Sequence, residues 1–478
     1  MQQTLLKRGS FIVCSRDGEF CLINSETGRW LIVNKTAKNV VDFVKRPLEE
    51  KEIIDHFSKK GLNRNRIKKY IAHLISSGIL YPANKKIKRN KNQTLIRLPY
   101  LFVLSTTNGC NLSCKYCYAN SINKNYVYMS LEVMKKTIDI AVSMPQKLIG
   151  VEFHGGEPLL RFDIIKEAVL YGEKMANLHN KELKFLIQTN GTLLNEDIAH
   201  FIKKHNIDLG ISLDGPKRIN DRNRVFSDGR GSYGRIMKNI SMLQKMNVKF
   251  GILAVIEDWK EINRIFTFYS QKNINSVKLN FIFPQGRAIL QKQDIDEVRA
   301  SCEFLKIVDR LIKLCNRQKE KIKEANIGFI LENIISPNSE DRYMCLNSPC
   351  GAMLDMVAVD KDGSILPCEK MVGIDYFKKY YTIGNVKSIN NFQKVVLTSK
   401  IRTTLLDRNV DAIDDCKSCT WKRFCSGGCL VDAYLINGDI NSKGLYCKFY
   451  KTILEKMLWK IKDESTTLLK LFDLELID

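Results

Sequence analysis

The 478 residues are enough for two or three domains, and a hydrophobic share of 44% excludes an intrinsically disordered chain. No apolar run approaches the roughly eighteen residues of a membrane span, and the N-terminus has no apolar core followed by a cleavage site, so we expect a cytoplasmic protein that does not enter a membrane. The net charge of +24 favours an acidic partner, but the basic residues form no stripe with interleaved aromatic residues, which makes a peptide a better candidate than nucleic acid.

The first 85 residues have the pattern of a small α+β unit. Two alternating apolar runs, 19–23 and 29–33, flank a turn at 25–28, which predicts a β-hairpin. Three amphipathic helices are predicted to follow, with Thr36 as a candidate cap for the first. A Lys- and Asn-rich stretch at 86–98 then predicts a linker.

Residues 99–290 alternate between apolar runs of strand length and amphipathic helical stretches, one of which follows the candidate N-cap Ser130. This alternation predicts a parallel sheet with right-handed crossovers. Six units are too few for a closed barrel, so the predicted fold is α/β, a partial (β/α)6 barrel with ligands at the C-terminal strand ends. The predicted strands are 101–105, 148–153, 184–188, 207–213, 250–255 and 277–281.

Three segments complete the predicted organisation: a helical bridge at 291–342, a cysteine-rich domain at 343–450 and a C-terminal helix at 451–478. The cysteine-rich domain has weak periodicity and holds eight of the fifteen cysteines. Because thiols stay reduced in the cytosol, this number of cysteines indicates metal or redox chemistry. We expect this domain to bury little apolar surface, so that bound metal must hold it together.

Three further cysteines, Cys110, Cys114 and Cys117, lie in one loop directly after the first predicted strand. Three thiolates so close in sequence can hold three irons of a cubane cluster and leave the fourth iron open. An open iron can chelate a small molecule through an amine and a carboxylate. A zinc site is the alternative, but zinc sites usually combine CxxC pairs into four ligands, and this spacing does not fit them.

The CxxxCxxC loop with an aromatic residue before its last cysteine resembles the signature of the radical S-adenosylmethionine (SAM) superfamily. Motifs at the ends of the next predicted strands agree, in particular Gly155-Gly156-Glu157-Pro158, which resembles the motif that binds the amino group of the methionine moiety. The resemblance implies a SAM-binding 4Fe–4S cluster, a 5′-deoxyadenosyl radical and an electron donor of the flavodoxin or ferredoxin type. It also implies that the cofactor contacts Tyr116, Gly155, Gly156, Glu157, Asn190, Ser212 and Arg224.

The spacing of the C-terminal cysteines resembles the SPASM extension of peptide-modifying radical enzymes, which holds two auxiliary 4Fe–4S clusters. By this resemblance the first auxiliary cluster is bound by Cys345, Cys350, Cys368 and Cys429, and the second by Cys416, Cys419, Cys425 and Cys447. If Cys345 is not a ligand, the first cluster has an open iron that can take a substrate thiolate. A pair of zinc knuckles is the alternative reading of the same cysteines.

Glu369, directly after Cys368, is a candidate catalytic base. In the related sulfatase-maturing enzymes an aspartate stands at this point and acts as the base. Glutamate is one methylene longer, and a structural or solvent-facing role is the alternative.

The N-terminal hairpin and three helices resemble the PqqD-like domain of enzymes that mature ribosomal peptides. In such domains the leader of a precursor peptide adds a strand to the hairpin edge. Nearby lysine and arginine side chains would attract an acidic leader. A winged-helix DNA-binding unit is the alternative, and the third predicted helix does carry four basic residues, Arg64, Arg66, Lys68 and Lys69.

Together these resemblances imply a maturase that crosslinks a ribosomally made precursor peptide, with a thioether as the preferred product and a carbon–carbon bond next. One alternative is an anaerobic sulfatase maturase that makes formylglycine, although those relatives lack the N-terminal unit. The other is a non-catalytic iron–sulfur protein that senses redox state and binds DNA.

Overall fold

The computed structural model describes residues 5–9, 11–84, 96–290, 296–317, 322–337, 339 and 342–474. Residues 86–95 of the predicted linker lie outside this part of the chain. The strands, in chain order, are β1 (Leu5–Arg8), β2 (Phe11–Arg16), β3 (Glu19–Asn24), β4 (Trp30–Asn34), β5 (Leu48–Glu49), β6 (Leu80–Pro82), β7 (Leu101–Ser105), β8 (Leu148–His154), β9 (Glu182–Thr189), β10 (Asp208–Ser212), β11 (Gly251–Ile256), β12 (Ser276–Phe281), β13 (Lys323–Glu324), β14 (Met356–Val359), β15 (Ser364–Leu366) and β16 (Gly384–Asn385).

The helices occupy the segments between these strands and most of the C-terminal region. In chain order they are α1 (Lys35–Phe43), α2 (Glu50–Lys59), α3 (Arg64–Ser76), α4 (Leu131–Val142), α5 (Phe162–Leu178), α6 (Glu196–Lys204), α7 (Lys217–Asn223), α8 (Tyr233–Lys245), α9 (Ile262–Gln271), α10 (Glu297–Asn316), α11 (Ala325–Ile335), α12 (Asp375–Tyr381), α13 (Phe392–Thr398), α14 (Lys400–Asp407), α15 (Asp414–Lys417), α16 (Lys422–Cys425), α17 (Leu430–Asn437) and α18 (Cys447–Phe472).

The six predicted strands of the barrel are confirmed as β7 to β12, which lie side by side in chain order and pair in parallel. The register places Val103 opposite Glu152 and Phe102 opposite Val151. Because side chains alternate across a strand, Phe102 and Val151 face the helices, where both are fully buried. Glu152 and His154 therefore belong to the inner face of the barrel.

The sheet is larger than predicted, because it continues beyond both ends of the six-stranded core. It has ten strands in the order β13-β12-β11-β10-β9-β8-β7-β14-β15-β16. β14 comes from the cysteine-rich segment and pairs in parallel with β7, from Met356 opposite Leu101 to Val359 opposite Leu104. This pairing joins positions some 250 residues apart, which local sequence periodicity does not reveal.

The expectation that residues 343–450 bury little apolar surface is wrong. The three strands of this segment extend the barrel sheet, and side chains such as Val357, Phe377 and Phe424 are almost fully buried in the main core. Its helices are short, so the hydrophobic pattern of each is too brief to be recognised as periodic. The long C-terminal helix α18 begins at Cys447, four residues before the predicted start.

The N-terminal hairpin is confirmed as β3 and β4, and β2 adds a third antiparallel strand on the far side of β3. Asn34, and not Thr36, caps the first helix, since its side chain accepts a hydrogen bond from the Ala37 N–H. A second small sheet, in the order β5-β1-β6, closes the same unit. α1, α2 and α3 pack on one face of β2–β4 around a core of their own.

The opposite face of β2–β4 packs on the rest of the protein, with contacts to both α11 and α18. Cys21 and Ile23 are fully buried there as part of the main hydrophobic core. Arg16 forms two hydrogen bonds of 2.7 Å with the Asp463 carboxylate and lies 4.6 Å from the Trp459 ring. The N-terminal unit is thus held by apolar contact as well as by charge. No helix in the described part of the chain is both long and apolar enough to cross a membrane.

We predict that Ile23→Ala lowers the free energy of unfolding by about 2–5 kcal/mol, because it opens a cavity where the N-terminal sheet meets the main core. Val13→Ala is the matched control, since Val13 lies on the same sheet and is 36% exposed. Urea unfolding of both variants measures the effect. Equal midpoints for the two variants would contradict the proposed packing.

Candidate active site

The cysteine loop follows β7 and crosses the C-terminal ends of the barrel strands. Cys110 and Cys114 are each 8% exposed. Backbone hydrogen bonds anchor the loop to the segment after α7, from Ser113 N to Val225 O at 2.7 Å and from Lys115 N to Asn223 O at 3.1 Å. The loop is therefore held by the barrel at the edge where ligands bind in parallel α/β folds.

The three loop thiols face one another closely enough to interact electrostatically. Burial raises the pKa of Cys110 to about 12 and that of Cys114 to about 11, and the neighbouring thiols add to both shifts. Among the described residues, no three Cys, His, Asp or Glu side chains are close enough to hold one metal ion. Thiolates are the soft donors that hold iron–sulfur clusters, so the three thiols of the loop suit the expected cluster.

Gly155 and Gly156 allow β8 to approach the cysteine loop at backbone distance. A Cβ on Gly155 would lie 2.6 Å from Thr107 O, and one on Gly156 would lie 2.0 Å from Gly109 O. Gly156 N donates to Thr107 O and Glu157 N donates to Gly109 O, both at 2.8 Å. The two glycines thus admit the loop that carries the cysteines.

Glu157 is fully buried, and both of its carboxylate oxygens accept hydrogen bonds from the protein. Oε1 accepts from Thr189 Oγ1 at 2.6 Å and from Leu159 N at 3.1 Å, and Oε2 accepts from Asn190 N at 2.7 Å. Burial raises its pKa to about 7 despite these bonds. A carboxylate has about four acceptor positions, which leaves one for the expected ammonium group.

Asn190 contacts the cysteine loop directly. Its Nδ2 lies 3.6 Å from Cys110 Sγ and 2.8 Å from Asn111 Oδ1, while its Oδ1 accepts hydrogen bonds from Thr192. The predicted cofactor residue is thus placed to orient a thiol of the loop.

Tyr116 and Arg224, both predicted to contact the cofactor, meet at Asp214. The Tyr116 hydroxyl donates to Asp214 Oδ2, and Arg224 Nε lies 3.0 Å from the same oxygen. The Arg224 guanidinium also lies 5.4 Å from the Tyr116 ring. Asp214, 1% exposed, was missed as a functional residue, although it follows β10 by two positions, where a buried acid is a signal.

Ser212, the last residue of β10, has its hydroxyl 3.3 Å from Gln188 Nε2. Register places Gln188 beside Gly210, so both polar side chains belong to the inner face of the barrel. Ser212 therefore lies at the C-terminal end of its strand, on the inner face of the barrel.

Gly286 and Arg287, after β12, clamp the cysteine loop from the other side and were also missed. A Cβ on Gly286 would lie 2.4 Å from Cys117 O. Arg287 Nε donates to Cys114 O at 2.8 Å and Nη1 donates to Ser121 O at 2.7 Å. Neither residue belongs to a recognisable local motif, so only the fold brings them to the loop.

Electrostatic interactions link the eight C-terminal cysteines in two sets of four. Burial raises the pKa of Cys368 well above its usual value, and the thiols of Cys350, Cys345 and Cys429 raise it further. We call these four the first auxiliary group. All fifteen cysteines of the chain are free thiols.

The second auxiliary group consists of Cys416, Cys419, Cys425 and Cys447. Burial raises the pKa of Cys425 to about 12, and the other three thiols add to the shift. A left-handed turn, with φ of 55° at Ser426, 78° at Gly427 and 77° at Gly428, leads from Cys425 to Cys429. The turn separates these two cysteines into different groups, which explains the interleaved order along the chain.

Glu369 lies between the cysteine loop and the first auxiliary group. It accepts a hydrogen bond from the Tyr118 hydroxyl, and its Oε1 lies 3.7 Å from His154 Nδ1. The Tyr118 hydroxyl is also 3.5 Å from His154 Nε2. Tyr118 follows Cys117 and Glu369 follows Cys368, so this contact connects the two cysteine groups through the top of the barrel. Tyr118 and His154 were missed because only folding brings them to Glu369.

We predict that Gly156→Ala removes the cluster of the cysteine loop, because the added methyl would overlap the Gly109 carbonyl and displace the loop. Iron and sulfide content per chain and the visible absorbance measure this loss. Gly234→Ala is the matched control, since a Cβ on Gly234 meets no atom within 4 Å. A Gly156→Ala protein with the iron content of the control would contradict the role assigned to the close approach.

Comparison with known proteins places this geometry in a family. A family model described as the radical SAM superfamily matches residues 104–269, which include the cysteine loop. The cysteine-type anaerobic sulfatase-maturating enzyme of Clostridium novyi (strain NT) is 26% identical over 385 residues, covering 77% of this chain and 97% of that enzyme.

Two further proteins are similar over nearly the whole chain. The radical SAM cyclopropyl synthase TigE of Paramaledivibacter caminithermalis is 22% identical over 476 residues, covering 93% of this chain and 92% of TigE. The structure of Streptococcus suis SuiB bound to the precursor peptide SuiA has a TM-score of 0.56 at 15% identity and covers 93% of this chain and 100% of that one. The match of the family model to residues 104–269, which include the cysteine loop and most of the barrel, shows that this part of the chain belongs to the radical SAM superfamily.

Proposed function

We propose that this enzyme binds a ribosomally made precursor peptide through its N-terminal unit and crosslinks the peptide at the top of the barrel. The observation that carries the proposal is the contact of Glu369 with Tyr118 and His154. It places a carboxylate at the C-terminal strand ends, between the cysteine loop and the first auxiliary group. The radical SAM family to which the chain belongs includes enzymes that modify peptides and proteins.

The cofactors of the family are SAM and a 4Fe–4S cluster, which when bound supply a carbon radical that abstracts hydrogen from the substrate. Cys110, Cys114 and Cys117 would hold the cluster, and Asn190 would orient the first of these thiols. Arg224 and Tyr116, fixed by Asp214, would line the adjoining cofactor site. These side chains supply binding and orientation, and their burial keeps water from the reacting atoms.

Glu369 is proposed as the base that takes a proton from the peptide. It is 22% exposed, so a substrate can reach it from the barrel opening. The hydrogen bond from Tyr118 fixes the direction of the carboxylate, and His154 lies beside the same oxygen. A base must lie within hydrogen-bond reach of the proton it takes, and this arrangement holds Glu369 at that position without blocking it.

The free edge of β4 is the proposed site for the leader of the precursor. β4 pairs with β3 on one side, and no strand in the described part of the chain pairs with its other side. Asn34, at the end of β4, donates to the Tyr70 hydroxyl at 3.1 Å, and Arg66 Nε donates to the same hydroxyl at 3.1 Å. The exposed basic face of α3 therefore borders the edge, which favours an acidic strand there.

The product is proposed to be a crosslink formed with loss of two hydrogens: the carbon radical takes one as a hydrogen atom, Glu369 takes the other as a proton, and an auxiliary cluster would take the remaining electron. The thioether remains the first candidate from the resemblance. One observation favours a carbon–carbon bond instead. Cys345 interacts electrostatically with Cys350, Cys368 and Cys429, which supports Cys345 as the fourth ligand of the first auxiliary cluster. A cluster held by four thiolates would have no open iron for a substrate thiolate. TigE, similar over 93% of this chain, is a cyclopropyl synthase.

Formylglycine formation on a sulfatase is the alternative within the family. The sulfatase-maturating enzyme of Clostridium novyi covers 77% of this chain, whereas TigE and SuiB each cover 93%. Because a precursor peptide is bound in the SuiB structure, the similarity over the full length favours a peptide substrate.

We predict that Glu369→Gln abolishes the crosslink but leaves uncoupled SAM cleavage within about twofold of wild type, because the carboxylate base is lost while the cysteine loop is unchanged. Mass spectrometry of a co-expressed precursor reports the loss of two hydrogens per crosslink, and 5′-deoxyadenosine measures cleavage.

Cys114→Ala is the companion variant and should stop both reactions. Cleavage at the wild-type rate in Cys114→Ala would refute the assignment of the loop. A fully crosslinked peptide from Glu369→Gln would refute the assignment of Glu369 as the base. If the wild-type protein produced no 5′-deoxyadenosine, the result would favour the alternative of a non-catalytic DNA-binding protein.

We predict that Arg66→Glu weakens precursor binding at least tenfold and makes the loss of affinity with rising salt shallower, because an attraction to the acidic leader is replaced by a repulsion that salt screens. Lys245→Glu, an equal charge reversal at an exposed position on the barrel helix α8, is the control. Fluorescence anisotropy with a labelled leader peptide measures both affinities. Equal affinities for the two variants would exclude the β4 edge as the leader site.

A further inference from the structure

A largely buried lysine contacts the first auxiliary group. Lys370 Nζ lies 3.8 Å from Cys429 Sγ and 3.2 and 3.4 Å from the two carboxylate oxygens of Asp432. The Lys370 side chain is 18% exposed and that of Asp432 is 7% exposed. Phe283 covers the ammonium group, with Nζ 3.2 Å from the ring centroid. The positive charge is therefore fixed beside a sulfur in a site that little water reaches.

Two more cations surround the same group. Arg408 is 3% exposed, donates to Ser442 O at 3.2 Å and to Ile440 O, and interacts electrostatically with Cys350 and Cys429. Lys278 interacts with Cys345. Together with Lys370, these residues place three positive side chains around four thiols.

The second auxiliary group has a different electrostatic environment. Lys443 and Lys451 interact with Cys447, and the Lys443 side chain is 46% exposed and paired with Asp415. Charges that reach water are screened by it, so their effect on a nearby cluster is smaller than that of a desolvated charge. Arg408 interacts with Cys416 of the second group as well as with the first group. The Lys370 ammonium is hydrogen-bonded to Cys429, which belongs to the first group.

We infer that Lys370 raises the reduction potential of the first auxiliary cluster above that of the second. Reduction adds negative charge to a cluster, and both a nearby cation and a hydrogen bond to a ligand sulfur stabilise that charge. Lys370 supplies both at Cys429. The inference rests on the proposed function, because it needs auxiliary clusters bound to these cysteines.

Asp432 controls how much of the charge acts on the cluster. Its carboxylate pairs with the Lys370 ammonium and lies three residues after Cys429, at the first turn of α17. Removing the lysine charge and removing the aspartate charge should therefore shift the potential in opposite directions. If the pair had only a structural role, the reduction potential would not follow the sign of the charge removed.

The test is potentiometric titration of the full-length, cluster-loaded protein with EPR detection of the reduced clusters. Cys350→Ala and Cys425→Ala assign the signals to the first and second auxiliary clusters. We expect Lys370→Met to change the equilibrium constant for reduction of the first cluster at least tenfold toward the oxidised form, about 59 mV for a one-electron couple. Lys370→Arg, which keeps the charge, should restore most of the potential, and Asp432→Asn should raise it.

Lys181→Met is the matched control, because the Lys181 ammonium is also hydrogen-bonded, at 2.5 Å to Met144 O, but is remote from the cysteines. The inference is overturned if the first auxiliary cluster has the same reduction potential in Lys370→Met as in Lys181→Met. It is also overturned if Asp432→Asn lowers that potential. Iron content tests the presence of the auxiliary clusters separately from the effect of Lys370. If the wild-type protein holds only the loop cluster, the auxiliary clusters of the proposed function are refuted.

Discussion

The approach of the Gly155-Gly156 backbone to the cysteine loop is the constraint on which the site depends. With no Cβ at either glycine, β8 reaches Thr107 and Gly109 and donates two backbone hydrogen bonds to them. Glu157 then extends the same contact to the end of β9 through Thr189 and Asn190. The loop thiols thus take their positions from the ends of the barrel strands and not from their own local sequence, and every residue proposed to hold the cofactor is placed relative to that contact.

Much of the fold was accessible from the sequence because its strongest features are local. Strand-length apolar runs and helical periodicity located β7 to β12, and the loop with three cysteines stood out by spacing alone. What could not be predicted arises between distant parts of the chain. The pairing of β14 with β7, the burial of Cys21 and Ile23 in the main core, and the contact of Arg287 with the cysteine loop each join segments that share no pattern.

The same distinction holds within the candidate site. Residues that carry a motif, such as Glu157 and Asn190, were located correctly at the strand ends, but their partners were not. The Glu157 carboxylate accepts hydrogen bonds from protein donors, and the Asn190 side chain contacts the Cys110 thiol. Both residues therefore help to position the cysteine loop. Asp214 and His154 complete the site through contacts that depend on the twist and register of the sheet, for which no short pattern exists.

The parallel ladder between β7 and β14 has a consequence for the spacing of the redox centres. One continuous sheet carries both the loop that follows β7 and the segment that leads from β14 to Cys368. Separating these two parts would break a row of main-chain hydrogen bonds, so the sheet fixes the distance between the cysteine loop and the segment before Cys368. Under the proposed function, a longer or shorter peptide would therefore be accommodated by side chains at the barrel opening and by the leader, and not by a change in the separation of the two cysteine groups.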